Sequence, residues 1–117
     1  MLVPLTTLHS VLKNICHDLG MTAIICSHDQ IANSVIVQCQ QLGYRVPKDI
    51  SIIGFDDLPL CAYTSPPLTT IRQNRIELGK CGYYALDSLL NNVSIGTILL
   101  HAQLIVRNST DRIFKLR

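Results

Sequence analysis

Ser51-Ile52-Ile53-Gly54-Phe55-Asp56-Asp57 is the stretch that decides the fold. Its apolar part does not alternate with polar residues. A strand of that kind is expected where both faces are covered, as in a parallel sheet packed by helices. Two carboxylates follow at once. In open α/β sheets ligands bind in the crevice beyond the carboxyl ends of the strands, so Asp56 and Asp57 stand where a ligand is expected.

Working back from Ile50 to Gly54, the first neighbour is the loop 44–49, where Pro47 prevents helical continuation. Before it, Ile31, Ala32, Val35, Ile36, Cys39 and Leu42 recur at helical spacing and predict a helix over Gln30 to Leu42. Asp29 is placed to cap its start and Gly43 to stop it. Thr22-Ala23-Ile24-Ile25-Cys26 reads as a second buried strand, ending at Ser27-His28-Asp29. Leu8, Leu12, Ile15 and Leu19 predict a helix from Leu5 to Leu19, with Thr6 or Thr7 as cap and Gly20 as stop. The order is helix, strand, helix, strand. Short connections make such strands parallel, with right-handed crossovers. Topology therefore sets Ser27-His28-Asp29 beside Phe55-Asp56-Asp57.

Working forward, Leu58 to Tyr63 allows one short helical turn, which Asp57 is placed to cap. Thr64-Ser65-Pro66-Pro67 must be extended or turned. Leu68-Thr69-Thr70-Ile71 predicts a third strand, ending at Arg72-Gln73-Asn74. Asn74 and Glu77 form a capping pair for a helix from Arg75 to Leu90. One or two strands fit Thr97 to Val106. The polar, basic stretch Asn108 to Arg117 is expected to be a partly ordered tail.

Composition narrows the function classes. The chain has 117 residues, 48% of them hydrophobic and 15% charged, which suits one domain with a substantial core. A net charge of +2 does not by itself imply a nucleic-acid face. The five cysteines have no C-x-x-C pair, so reduced and mostly buried thiols are expected rather than a zinc site or a disulfide framework. No signal peptide is visible, and no apolar run approaches the roughly 20 residues that span a bilayer. A soluble, cytoplasmic protein without metal or cofactor is expected.

The segments T-A-I-I-C-S-H-D-Q-I-A at 22–32 and G-Y-R-V-P-K-D-I-S-I-I-G-F-D-D at 43–57 stand in a recognisable order. A-Y-T-S-P-P-L-T-T-I-R-Q at 62–73, E-L-G at 77–79 and L-I-V-R-N-S-T at 104–110 follow. Together they resemble the carboxyl-terminal part of a lactose-repressor/galactose-repressor (LacI/GalR) family transcription regulator. The resemblance implies the carboxyl-terminal lobe of a type I periplasmic-binding-protein-like fold, a parallel sheet flanked by helices. It implies a partial effector-binding and dimerisation domain over 1–110 and a basic tail over 111–117. The helix 75–90 would belong to the other lobe of a two-lobed core, with the effector in the cleft between lobes. DNA would be contacted only through a headpiece not present here.

By the same resemblance Asp56 is the ligand-binding aspartate, able to accept two sugar hydroxyls. His28 stands where many relatives have Asn, and Gln73 lies at a crossover position, as ligand contact or hinge. Leu2 loosely matches an aromatic stacking position. A homodimer is implied, through the outward face of the helix 30–42 and the segment 58–63, with Asn33, Ile36, Leu58, Leu60 and Tyr63 as interface candidates. The function implied is sensing of an effector, a sugar or sugar derivative, in a repressor rather than an enzyme. Two other readings stay open: a stand-alone sugar-binding module, and an acid–base enzyme using His28 with Asp29 or Asp56.

Overall fold

A computed structural model describes the backbone of residues 5–18 and 20–112, and the side chains of residues 9–16 and 20–112. Leu2, the side chains of Thr6, Thr7 and Leu8, Leu19 and residues 113–117 lie outside what is described. In chain order the elements are α1 (Leu5–Asp18), β1 (Ala23–Ile25), α2 (Asp29–Gln41) and β2 (Ser51–Phe55). A 3-10 turn (Pro59–Ala62), β3 (Thr69–Arg72), α3 (Arg75–Leu90) and β4 (Gln103–Ile105) follow. Every element predicted between residues 5 and 90 is present, with ends shifted by a residue or two.

The sheet order is β1-β2-β3-β4. β1, β2 and β3 are parallel, and the register sets Ile25 against Ile53 and Phe55 against Ile71. β4 departs from the expected parallel sheet. It pairs antiparallel with β3, Ile71 against Leu104. The chain returns from α3 in the opposite direction and needs no crossover to lie beside β3. Thr97 to Val106 yields this one strand, and residues 97–102 have no regular structure.

The core lies on one side of the sheet. Ala32, Val35, Ile36 and Cys39 of α2 pack with Leu12 and Cys16 of α1 over Ile50, Ile52 and Leu68. Ile24 and Ile52, paired in register, turn toward this cluster. Ile25 turns the other way and is 74% exposed. The even apolarity of the strands thus implies two covered faces, and among the described residues only one is covered by helices.

One segment is more firmly held than its composition suggests, and one helix stands apart from the core. Asn108 to Asp111, the start of the stretch expected as a partly ordered tail, is bound into the sheet. Ser109 is fully buried between β2 and β3. The Ile52 amide donates to its carbonyl at 2.8 Å, and the Thr69 amide donates to its hydroxyl at 2.8 Å. That hydroxyl in turn donates to the Ile52 carbonyl at 2.6 Å. A short polar side chain there satisfies backbone groups that a sheet ladder leaves unpaired, and such a role has no periodic signature.

The helix that stands apart is α3. Asn74 caps it as expected, its Oδ1 accepting from the Glu77 amide at 3.1 Å. Yet none of its residues is buried. The radius of gyration is 18.3 Å, against about 13 Å for a compact domain of this length. α3 and the stretch after it form an arm that projects from the core.

Candidate functional site

The register puts residues 28, 56 and 72–73 at one level, past the carboxyl ends of three adjacent strands. His28 is the N-cap position of α2, with extended backbone and no cap hydrogen bond from its side chain. Its Nδ1 lies 3.0 Å from the Ser27 hydroxyl. Asp56 continues β2 by one bond, its amide donating to the Ile71 carbonyl at 2.9 Å. Its φ is +104°, beyond the left-handed helical well. The Asp56 carboxylate, half-buried, has no hydrogen-bond or ion-pair partner among the described residues. Gln73, also half-buried, follows β3.

Asp29 and Asp57, both read from sequence as caps, do something else. Asp29 lies inside the first turn of α2 and is fully buried. Its Oδ1 accepts from the Thr70 hydroxyl at 2.5 Å and its Oδ2 from the Leu58 amide at 2.7 Å. It ties α2 to β3 and to the turn that carries Asp56. Asp57, at φ +52°, accepts from Arg107 at 2.8 Å on Oδ1 and from Arg72 at 2.6 Å on Oδ2. Burial pushes the Asp57 carboxyl up, but the hydrogen bonds from Arg107 and Arg72 outweigh it and hold the carboxyl below its ordinary value. Two consecutive aspartates at positive φ are a strained turn, and these bonds on either side hold it.

Gly54 makes the arrangement possible. A Cβ there would overlap Asp29 Oδ1 and come within 2.9 Å of a Leu68 methyl. Its φ is ordinary, so the need for glycine comes from close approach of α2 to β2.

Two cavities open beside Gln73, between the end of β3, the start of α3 and residues 100–103. The larger, about 380 Å³, is lined by Asp57, Arg72, Gln73, Arg75, His101 and Gln103 among others. The smaller, about 230 Å³, includes Phe55, Gln73, Leu78 and His101. His28 and Asp56 line neither. Arg75 and His101 were not legible as site residues, since the chain folds 101 back against 73 only in the tertiary structure.

The interface candidates separate. Ile36 is 1% exposed and belongs to the core, so it is not on the outward face of α2. Leu58 is half-buried and packs against the core. Asn33 and Leu60 are half-buried, whereas Tyr63 is 87% exposed. Ile31 and Val37 are the exposed apolar residues of α2.

The acid–base alternative loses one partner. Asp29 is buried and engaged by Thr70 and Leu58, so no His28–Asp29 dyad forms. Cys16, Cys26, Cys39 and Cys61 are buried free thiols, and Cys81 is half-buried. Among the described residues no cluster of histidine, cysteine or acidic side chains could hold a metal ion. None of their helices is long and apolar enough to cross a membrane.

Residues 4–110 match the periplasmic binding protein-like domain family, and the chain belongs to it. Within that family it carries the carboxyl-terminal part of a LacI/GalR effector-binding domain. It is 42% identical over 95 residues to the HTH-type transcriptional regulator MalR of Streptomyces coelicolor, covering 76% of this chain and 26% of MalR. It therefore spans about a quarter of that relative's length. Among solved structures it resembles a dimeric Lac repressor, with TM-score 0.76 and 28% identity over 94% of this chain and 41% of the other. It also resembles a LacI family regulator of Arthrobacter sp. FB24 in complex with lactose, with TM-score 0.71 and 28% identity over 92% of this chain and 41% of the other.

Proposed function

We propose that this chain forms one wall of an effector cleft in a cytoplasmic transcription repressor that responds to a sugar or sugar derivative. The observation that carries the reading is Asp56. Its carboxylate has no partner among the described residues, its backbone is strained, and the neighbouring Asp29 and Asp57 are engaged in holding it in place. Strain kept up by surrounding bonds is characteristic of binding sites. His28 and Gln73, at the same sheet level, supply further donors and acceptors. The lactose complex of a related regulator supports a sugar as the class of ligand.

In this reading α3 belongs to the second lobe, which explains why it buries nothing here. The effector favours one closure of the two lobes, and that preference passes to DNA-binding headpieces outside these residues. The chain does no catalysis. It forms a homodimer through the face that carries Tyr63, Leu60 and Asn33, a reading supported by the dimeric Lac repressor it resembles.

The test is a nuclear magnetic resonance titration of the 117-residue chain with lactose, glucose and ribose. Expected are shifts at the amides of His28, Asp56 and Gln73, lost in Asp56→Asn, with a Kd above about 1 mM because one wall leaves most of a ligand wet. Shifts elsewhere, or shifts indifferent to Asp56→Asn, contradict it. Micromolar binding would instead favour a stand-alone sugar-binding module.

A further inference from the structure

We propose that the effector carries an anionic group, a phosphate or a carboxylate, and that Arg75 and His101 receive it in the 380 Å³ cavity beside Gln73. This rests on the reading of the same edge as an effector wall and adds the chemical class of the ligand.

The charge balance of the cavity carries the inference. Two guanidinium groups and an imidazole line it, against one carboxylate. That carboxylate, Asp57, is already shared between Arg72 and Arg107. Arg72 is thereby engaged, although one carboxylate does not cancel two guanidinium charges. Arg75 is not: no hydrogen bond or ion pair engages its side chain among the described residues, and neither does one engage His101.

Arg75 has no structural task that accounts for it. It opens α3, where a cation opposes the helix dipole rather than complementing it. The acidic residue of that turn, Glu77, does not line the cavity. The cap of the helix is Asn74. What remains is a fork of donors at a cavity large enough for a small molecule. A planar guanidinium suits phosphate and carboxylate, which accept two parallel bonds at once.

Position completes the assignment. Gln73 lines the cavity and also sits at the sheet level of Asp56 and His28. A ligand can therefore rest its hydroxyls on Asp56 and Gln73 while its anionic end lies toward Arg75. Asp56 repels that end and so orients the molecule.

The experiment measures binding of glucose, glucose 6-phosphate, glucuronate and inorganic phosphate to the 117-residue chain by calorimetry at constant ionic strength. An anionic hexose is expected to bind about ten- to a hundredfold tighter than glucose, the span of one or two charge-assisted hydrogen bonds. Arg75→Gln, checked for folding by circular dichroism, is expected to bring the affinity for the anionic hexoses down to within about threefold of that for glucose measured on the same variant. Arg75→Lys should retain part of it. The glucuronate and glucose 6-phosphate arms separate carboxylate from phosphate; preference for either supports the proposal. Equal affinity for glucose and both anionic hexoses overturns it, as does an advantage that survives Arg75→Gln or the binding of no probe at all. If the two hexose classes bind equally and both weaken in Asp56→Asn, the anion site falls and the effector wall stands. If phosphate binds as tightly as glucose 6-phosphate, depends on Arg75 and ignores Asp56, the anion site stands and the sugar reading falls.

Discussion

At the scale of single residues, three neighbouring carboxylates have three fates set by what surrounds them. Asp29 is buried and satisfied, Asp57 is paired with two arginines, and Asp56 is left open. Sequence patterning could not divide these roles, since each of the first two also fits a capping position. Removing the Asp57 charge should be costly because it strands Arg107, only 20% exposed. Asp57→Asn is expected to lose about 2–3 kcal/mol in urea unfolding. The pH sign follows from the depressed carboxyl. Its contribution is present above the ordinary value of 3.8 and is lost as pH falls through the lower folded value. The wild-type thermal midpoint should therefore drop below about pH 4 more steeply than that of Asp57→Asn. The thiols give a second check. Burial pushes Cys26 up to about 11 and Cys39 to about 12. Cys61 also rises to about 12, through burial and its contact with Asp29. At pH 8 a thiol reagent should modify Cys81 first and leave these three until the protein unfolds.

At the scale of elements, the closeness of α2 to β2 is fixed by one missing side chain. Gly54→Ala should destabilise by about 1–3 kcal/mol, the cost of forcing extra volume into a packed contact. Thermal and urea unfolding would show it, and no change would mean that α2 can back away. α3 is the opposite case. Its leucines at 86, 89 and 90 are exposed, and none is buried by the described residues. Leu86→Lys, Leu89→Lys and Leu90→Gln should each shift stability by less than about 0.5 kcal/mol. A large loss in any of them would show that α3 folds back onto the core in solution.

At the scale of the whole molecule, the elongated shape, 59 by 29 by 28 Å, follows from that unpacked arm. The charge of +2 is modest and no described element carries a basic face of its own. The 117-residue chain should show no specific, salt-resistant retardation of operator DNA in a gel-shift assay. Sedimentation should report a dimer, weakened by Tyr63→Asp, because Tyr63 is the most exposed aromatic near the proposed interface.

The sequence by itself determined the order of elements, the parallel pairing of the first two strands and the sheet edge at which His28 and Asp56 stand side by side. Those follow from hydrophobic period, turn residues and chain connectivity, which are local properties. Only the tertiary structure decided that Ile36 faces the core, that Ser109 closes the sheet, that Asp29 and Asp57 brace the turn at Asp56, and that His101 comes to stand with Arg75. Each of those depends on which side chain fills a particular space or satisfies a particular backbone group. Such matters are settled between residues 15 to 57 positions apart, where no periodicity reaches.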